Sequence, residues 1–158
     1  MTTVNDTMTG LESWLAGFGL TGAAADEDSD GDSILNSVEY VIGGNPANQP
    51  DTARLPTVGM IRANLDGAPG DEDYLLFTYR CSDLAAVDPD LLIAVDWDAD
   101  LTGPWATADG SHGEVTVIED VPGESYDLIK VHIPRPLAVN GRLFARLRVE
   151  VAAPAPVR

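Results

Sequence analysis

With 158 residues, nine Lys and Arg against 26 Asp and Glu, and a net charge of −17, the chain is long enough for one well-buried domain. It is too acidic to favour a nucleic-acid partner, whose phosphates it would repel. No apolar run approaches the roughly 20 residues needed to cross a bilayer, so no membrane span is expected, and a single cysteine, Cys81, excludes an intrachain disulfide.

The charge is unevenly placed. Residues 1–53 hold nine acidic side chains and no Lys or Arg, whereas residues 130–158 hold six basic ones against Glu150 alone. Such asymmetry is compatible with head-to-tail association, the acidic end of one copy meeting the basic end of the next, and the expected partner is a further copy of the chain, in a homo-oligomer or homopolymer. Solvated faces and internal pairing are the alternative. The opening MTTVNDTMTGLESWLAGFGL lacks a basic n-region, and Glu12 interrupts its apolar part. It does not read as a secretory signal, so an exported form is expected to have lost its signal or to use an unconventional one.

Thr9 and Glu12 have capping-box spacing, which predicts a short helix over Gly10–Gly17 with Leu11, Trp14, Leu15 and Phe18 as its apolar stripe. Gly17, Gly19 and Gly22 break it. A second helix is expected from Ser33 through Val41, burying some combination of Leu35, Val38, Tyr40 and Ile42. Gly43 and Gly44 then supply a left-handed exit, and Asn45-Pro46 confirms the stop. The expected units are a helical hairpin over 1–46, a linker over 47–54 and a β domain over 55–158.

From Leu55 onward the apolar residues alternate with period two. Strands are expected over Thr57–Ala63, Tyr74–Cys81, Leu91–Asp98, Glu114–Glu119, Tyr126–Ile133 and Arg142–Val151, separated by turn-rich pieces such as LDGAPGDED, VPGE and VNG. Short strands at that spacing predict a mainly β fold, an antiparallel β-sandwich. Leu75, Phe77, Tyr79 and Cys81 share one strand face, which makes Cys81 a buried thiol. The last strand turns Leu143, Ala145, Leu147, Val149 and Val151 inward and Phe144, Arg146, Arg148 and Glu150 outward. The tail AAPAPVR reads as an extended, Pro-stiffened terminus.

Between the two helices the sequence DEDSDGD places five carboxylates in seven residues. Calcium takes six to eight oxygen ligands, and a twelve-residue loop supplies them from side chains at positions 1, 3, 5 and 9, a carbonyl at 7 and a bidentate Glu at 12. Starting at Asp26 leaves Ser37 at position 12, where it cannot chelate. Starting at Asp28 puts Asp30 and Asp32 at 3 and 5, the Ile34 carbonyl at 7, Leu35 at the apolar position 8, Asn36 at 9 and Glu39 at 12. This second register predicts a Ca2+ site made by Asp28, Asp30, Asp32, Ile34, Asn36 and Glu39. Position 6, where the turn wants glycine at positive φ, is Ser33, at a cost of about 1 kcal/mol.

The loop DSDGDSILNSVEY resembles the calcium loops of dockerin and thrombospondin type 3 repeats. Taken with LPTV, YLLFTYR, IAVDWDADLTGPW and RLFARLRV, in that order, it is similar to a module at the C-termini of large exported bacterial proteins, common in planctomycete and verrucomicrobial genomes. The similarity runs from about Leu11 to Val151. It implies an extracellular, calcium-stabilised β-sandwich with no enzymatic role of its own; Ser33 departs from the usual loop glycine.

Other residues point less far. Asp96, Asp98 and Asp100 repeat the DxDxD spacing, but Thr107 falls where the closing acid belongs, and a solvated or Arg-paired strand face is expected. His112 lies in a Gly-rich turn, His132 shares the polar face of its strand with Lys130, and neither has a nucleophile context such as G-x-S-x-G. No catalytic residue is assigned. Trp97 alternates with Ile93 and Val95 as a core residue and Trp14 fits the helix stripe, which leaves Trp105 as the sugar platform of a carbohydrate-binding alternative. The expected function is that of a non-enzymatic structural protein, extracellular or at the cell surface, calcium-binding and self-assembling into a filament or matrix. The alternative is a calcium-dependent carbohydrate-binding or attachment module, with a cell-surface or glycan partner.

Overall fold

After Leu55 the described residues form seven antiparallel strands in two sheets, most of them runs of period-two alternation. The computed structural model describes residues 9–48 and 51–151. The strands are β1 (Thr57–Ala63), β2 (Glu72–Ser82), β3 (Leu91–Asp98), β4 (Ala106–Thr107), β5 (Val115–Asp120), β6 (Tyr126–Pro134) and β7 (Phe144–Val151). One sheet has the order β1-β2-β6-β5 and the other β4-β3-β7. The expected extended tail over 152–158 and the first eight residues lie outside the described residues.

The two sheets share one core, as the alternation requires. From β2 come Leu75, Phe77, Tyr79 and Cys81, from β6 Ile129, Val131 and Ile133, and from β3 Val95 and Trp97. Ala145, Leu147, Val149 and Val151 of β7 pack against them from the facing side. Cys81 is 5% exposed, and burial, followed by the Asp127 and Asp83 charges, pushes its thiol up to about 11. His132 departs from the expected polar face. It is buried, with Nδ1 3.0 Å from the Val115 carbonyl and its ring edge-on to Tyr74, between its register partners Leu76 on β2 and Val115 on β5.

Two short helices precede the strands. α1 (Gly10–Gly17) carries the capping box of Thr9 and Glu12, and it buries Leu11 and Leu15 while leaving Phe18 37% exposed. α2 (Asn36–Ile42) begins three residues later than the spacing predicts. The amides of Ser33 and Ile34 go to the Asp28 and Asp32 carboxylates, and Ser33 sits at φ 73°, so this segment wraps side-chain oxygens instead of starting a helix. The amides of Asn36 and Ser37 are taken by the carbonyls of Glu27 and Ala25. Leu35, expected as an apolar position, is the uncapped residue before the helix and is exposed, whereas Ile34 is buried.

Helices of seven or eight residues are marginal alone. These are held by burial: Leu15, Tyr40, Val41 and Ile42 join the same core as the sheets, and each fully buried aliphatic side chain contributes about 1.5–3 kcal/mol. Hydrogen bonds fix the docking. The Tyr40 hydroxyl donates to Asp88 at 2.9 Å, and the Ser82 hydroxyl donates to the Tyr40 carbonyl at 2.7 Å. Ser82 also caps α3 (Asp83–Ala86), a single turn that periodicity does not reveal.

Candidate metal centre

The acidic loop is ordered by its own carboxylates. Asp28 accepts the amides of Gly31, Asp32 and Ser33, Asp30 accepts that of Asp32 at 3.2 Å, and Asp32 accepts that of Ile34 at 2.9 Å. Satisfying so many amides with side chains demands a tight backbone, with Gly31 and Ser33 both at positive φ. Short polar side chains that bond the local backbone favour such turns over helix.

This winding brings four carboxylates together. One oxygen each from Asp30, Asp32, Glu39 and Asp51 lies within 4.8 Å of all the others. Oxygens bound to one calcium ion at 2.3–2.6 Å are at most about 5 Å apart, so the four fit a single ion. Glu39 is fully buried, and neither of its carboxylate oxygens has a hydrogen-bond donor. Asp51 lies beside it, but two carboxylates bond each other only if one carries a proton. Burial first, then Asp51, then the charges of Asp30 and Asp32, push the Glu39 carboxyl up to about 9. Asp30 is also raised, by burial ahead of the charges of Asp32 and Asp28.

Asp51 was not legible in the loop pattern. It lies in the stretch expected as a linker, just before a 3-10 turn over Thr52–Arg54, and it is 5% exposed. Its amide donates to Asp32 at 3.2 Å, its carboxylate accepts the Asn45 amide at 2.7 Å, and Arg54 faces it from outside at 3.8 Å. The left-handed exit at Gly43 returns the chain past Glu39, and Gly44 allows the contact: a Cβ there would lie 2.7 Å from Asp51 Oδ2 and 3.2 Å from Glu39 Cβ.

Of the six residues assigned from spacing, Asp30, Asp32 and Glu39 converge. The Asp28 carboxylate is outside that group of four and engages backbone amides. Asn36 is wholly buried, and its amide group donates to the Ala24 carbonyl and the Ser29 hydroxyl, both at 2.9 Å. It closes the loop on the residues ahead of it. Ile34 enters through its carbonyl in the expected ligand set, and its side chain joins the core.

A second group, Asp109, His112 and Glu114, differs in the decisive respect. Glu114 is buried, but its oxygens accept the Trp97 indole N–H at 3.1 Å and the His112 amide at 2.6 Å, so its need for donors is met. Asp96, Asp98 and Asp100 do not converge. Asp96 accepts from Arg148 Nε at 2.8 Å and Thr107 at 3.2 Å, whereas Asp98 and Asp100 take turn amides. Trp105 is half-buried, with the Arg146 guanidinium 4.1 Å over its ring. Compared with protein-family models, curated proteins and solved structures, the chain finds no match in any of the three.

Proposed function

We propose that the chain is a non-enzymatic, extracellular structural protein whose acidic loop holds a calcium ion. The observation that carries this reading is Glu39: fully buried, both oxygens without donors, and facing three further carboxylates. Buried polar atoms in proteins almost always have partners, and a buried charge is paired or coordinates a metal. An all-oxygen, carboxylate-rich set suits a hard divalent cation, and extracellular calcium is abundant enough to fill even modest sites.

Self-assembly is part of the proposal. It is supported by the uneven charge along the sequence, acidic in residues 1–53 and basic in residues 130–158, and by edge strand β1, which exposes Val58 and Met60. Unpaired apolar edges pair readily with other chains.

Thermal unfolding in calcium and in EDTA tests the site. Calcium at about a hundred times its dissociation constant adds about 2.7 kcal/mol, or roughly 5–10 °C for a chain of this size. Without the ion Glu39 has to take up a proton to be buried, and Glu39→Gln removes that requirement, so it raises the midpoint in EDTA and shrinks the calcium shift. A wild-type midpoint indifferent to calcium ends the reading. Light scattering in calcium tests assembly, and a monodisperse monomer at all concentrations rules it out.

A further inference from the structure

The four clustered carboxylates belong to two chain segments: Asp30, Asp32 and Glu39 to the loop and α2, Asp51 to the strand-ward connection. Resting on the calcium reading above, we infer that Asp51 is a calcium ligand supplied from outside the twelve-residue loop, so that the ion clasps the connection leading into β1 to the helical hairpin.

Three observations carry this. The Asp51 carboxylate is buried and shares the 4.8 Å cluster with Glu39, whose two oxygens lack donors. Its backbone is already tied to the loop through the hydrogen bond that its amide donates to the Asp32 carboxylate, which fixes the direction of approach. Gly44 leaves no side chain where the Asp51 carboxylate sits. The side chain at the ninth loop position, Asn36, is meanwhile engaged with Ala24 and Ser29, and Asp51 supplies an oxygen that a self-contained loop would draw from that position. The ion then joins residues 12 apart in sequence, from Glu39 to Asp51, and ordering of the 51–55 turn depends on it.

Calorimetric titration with CaCl2, run on wild type and Asp51→Asn and paired with amide hydrogen exchange, tests the inference. Asparagine keeps an oxygen for the Asn45 amide and removes one negative charge. The expected result is a calcium affinity lowered by about tenfold or more, since losing even a partner outside the ligand shell costs that much, together with an EDTA melting midpoint no lower than wild type because repulsion is relieved. A purely structural Asp51 predicts the opposite pair: unchanged affinity and a lower EDTA midpoint. In wild type, calcium should slow exchange at the Arg54 and Leu55 amides, which close the turn, along with the loop amides. If Asp51→Asn fails to fold, that exchange decides: protection confined to residues 28–39 overturns the inference. Wild type that binds calcium while Asp51→Asn binds it with less than a tenfold loss overturns the clasp and leaves the calcium site standing. Absence of any wild-type binding overturns both.

Discussion

At Glu39, protonation would compete with the proposed cation for the same oxygens. Its carboxyl has an ordinary value of 4.5 and is pushed up to about 9 in the folded chain, by burial before anything else. Between those values the folded state holds a proton that the unfolded state has released, so stability falls as pH rises through this window. In EDTA the urea midpoint is therefore expected to be higher at pH 5 than at pH 8. On the proposed calcium reading, saturating calcium is expected to reverse the sign, since acid would then displace the ion; equal EDTA midpoints at the two pH values would contradict the assignment. Much of this site was readable from spacing, because Asp30, Asp32 and Glu39 are brought together by one loop and one helix turn. Asp51 was not readable: its approach depends on the chain's return after Gly43 and on the missing Cβ at Gly44, which no local pattern encodes. Asn36 fits the ninth position by type, yet its hydrogen bonds are decided by the neighbouring Ala24 and Ser29.

Strands were more legible than single turns. A run of eight or more alternating residues repeats its signal often enough to place β2, β3, β6 and β7 within about two residues, a usual uncertainty for element ends. α3 has four residues and β4 two, too few for any period to emerge. The late start of α2 has a different origin, since carboxylates captured the amides that a helix would have used. Between elements, the β3–β7 pairing rests partly on Asp96. It is 3% exposed and set opposite Arg146 in the register, with Arg148 Nε at 2.8 Å and Arg146 Nε at 3.5 Å. Asp96→Ala leaves these groups unmatched and is expected to cost about 1–3 kcal/mol in urea unfolding. Arg146→Ala, at a half-exposed and longer contact, should cost about 1 kcal/mol or less. Equal losses in the two variants would mean that the contacts do not act as an Asp96-centred network.

For the whole molecule, the asymmetric charge visible in the sequence is partly internalised on folding: carboxylates crowd the loop beside α2, while Arg146 and Arg148 of β7 pair with Asp96, and Arg148 also with Glu150. The mainly β architecture followed from alternation, but the way the helices close one core with both sheets did not, because which surface a short helix covers is settled by packing. That shared core has a thermodynamic corollary. Tyr40, Val41 and Ile42 are embedded among the same residues as Phe77 and Trp97, so hairpin and sheets should melt together in a single calorimetric transition, and two separate transitions would refute that coupling. A fragment trimmed to begin at Leu55 would expose the apolar floor those side chains now roof over, and it should clump. The helical segment is the sandwich's lid, and it cannot be lifted off as a detachable accessory.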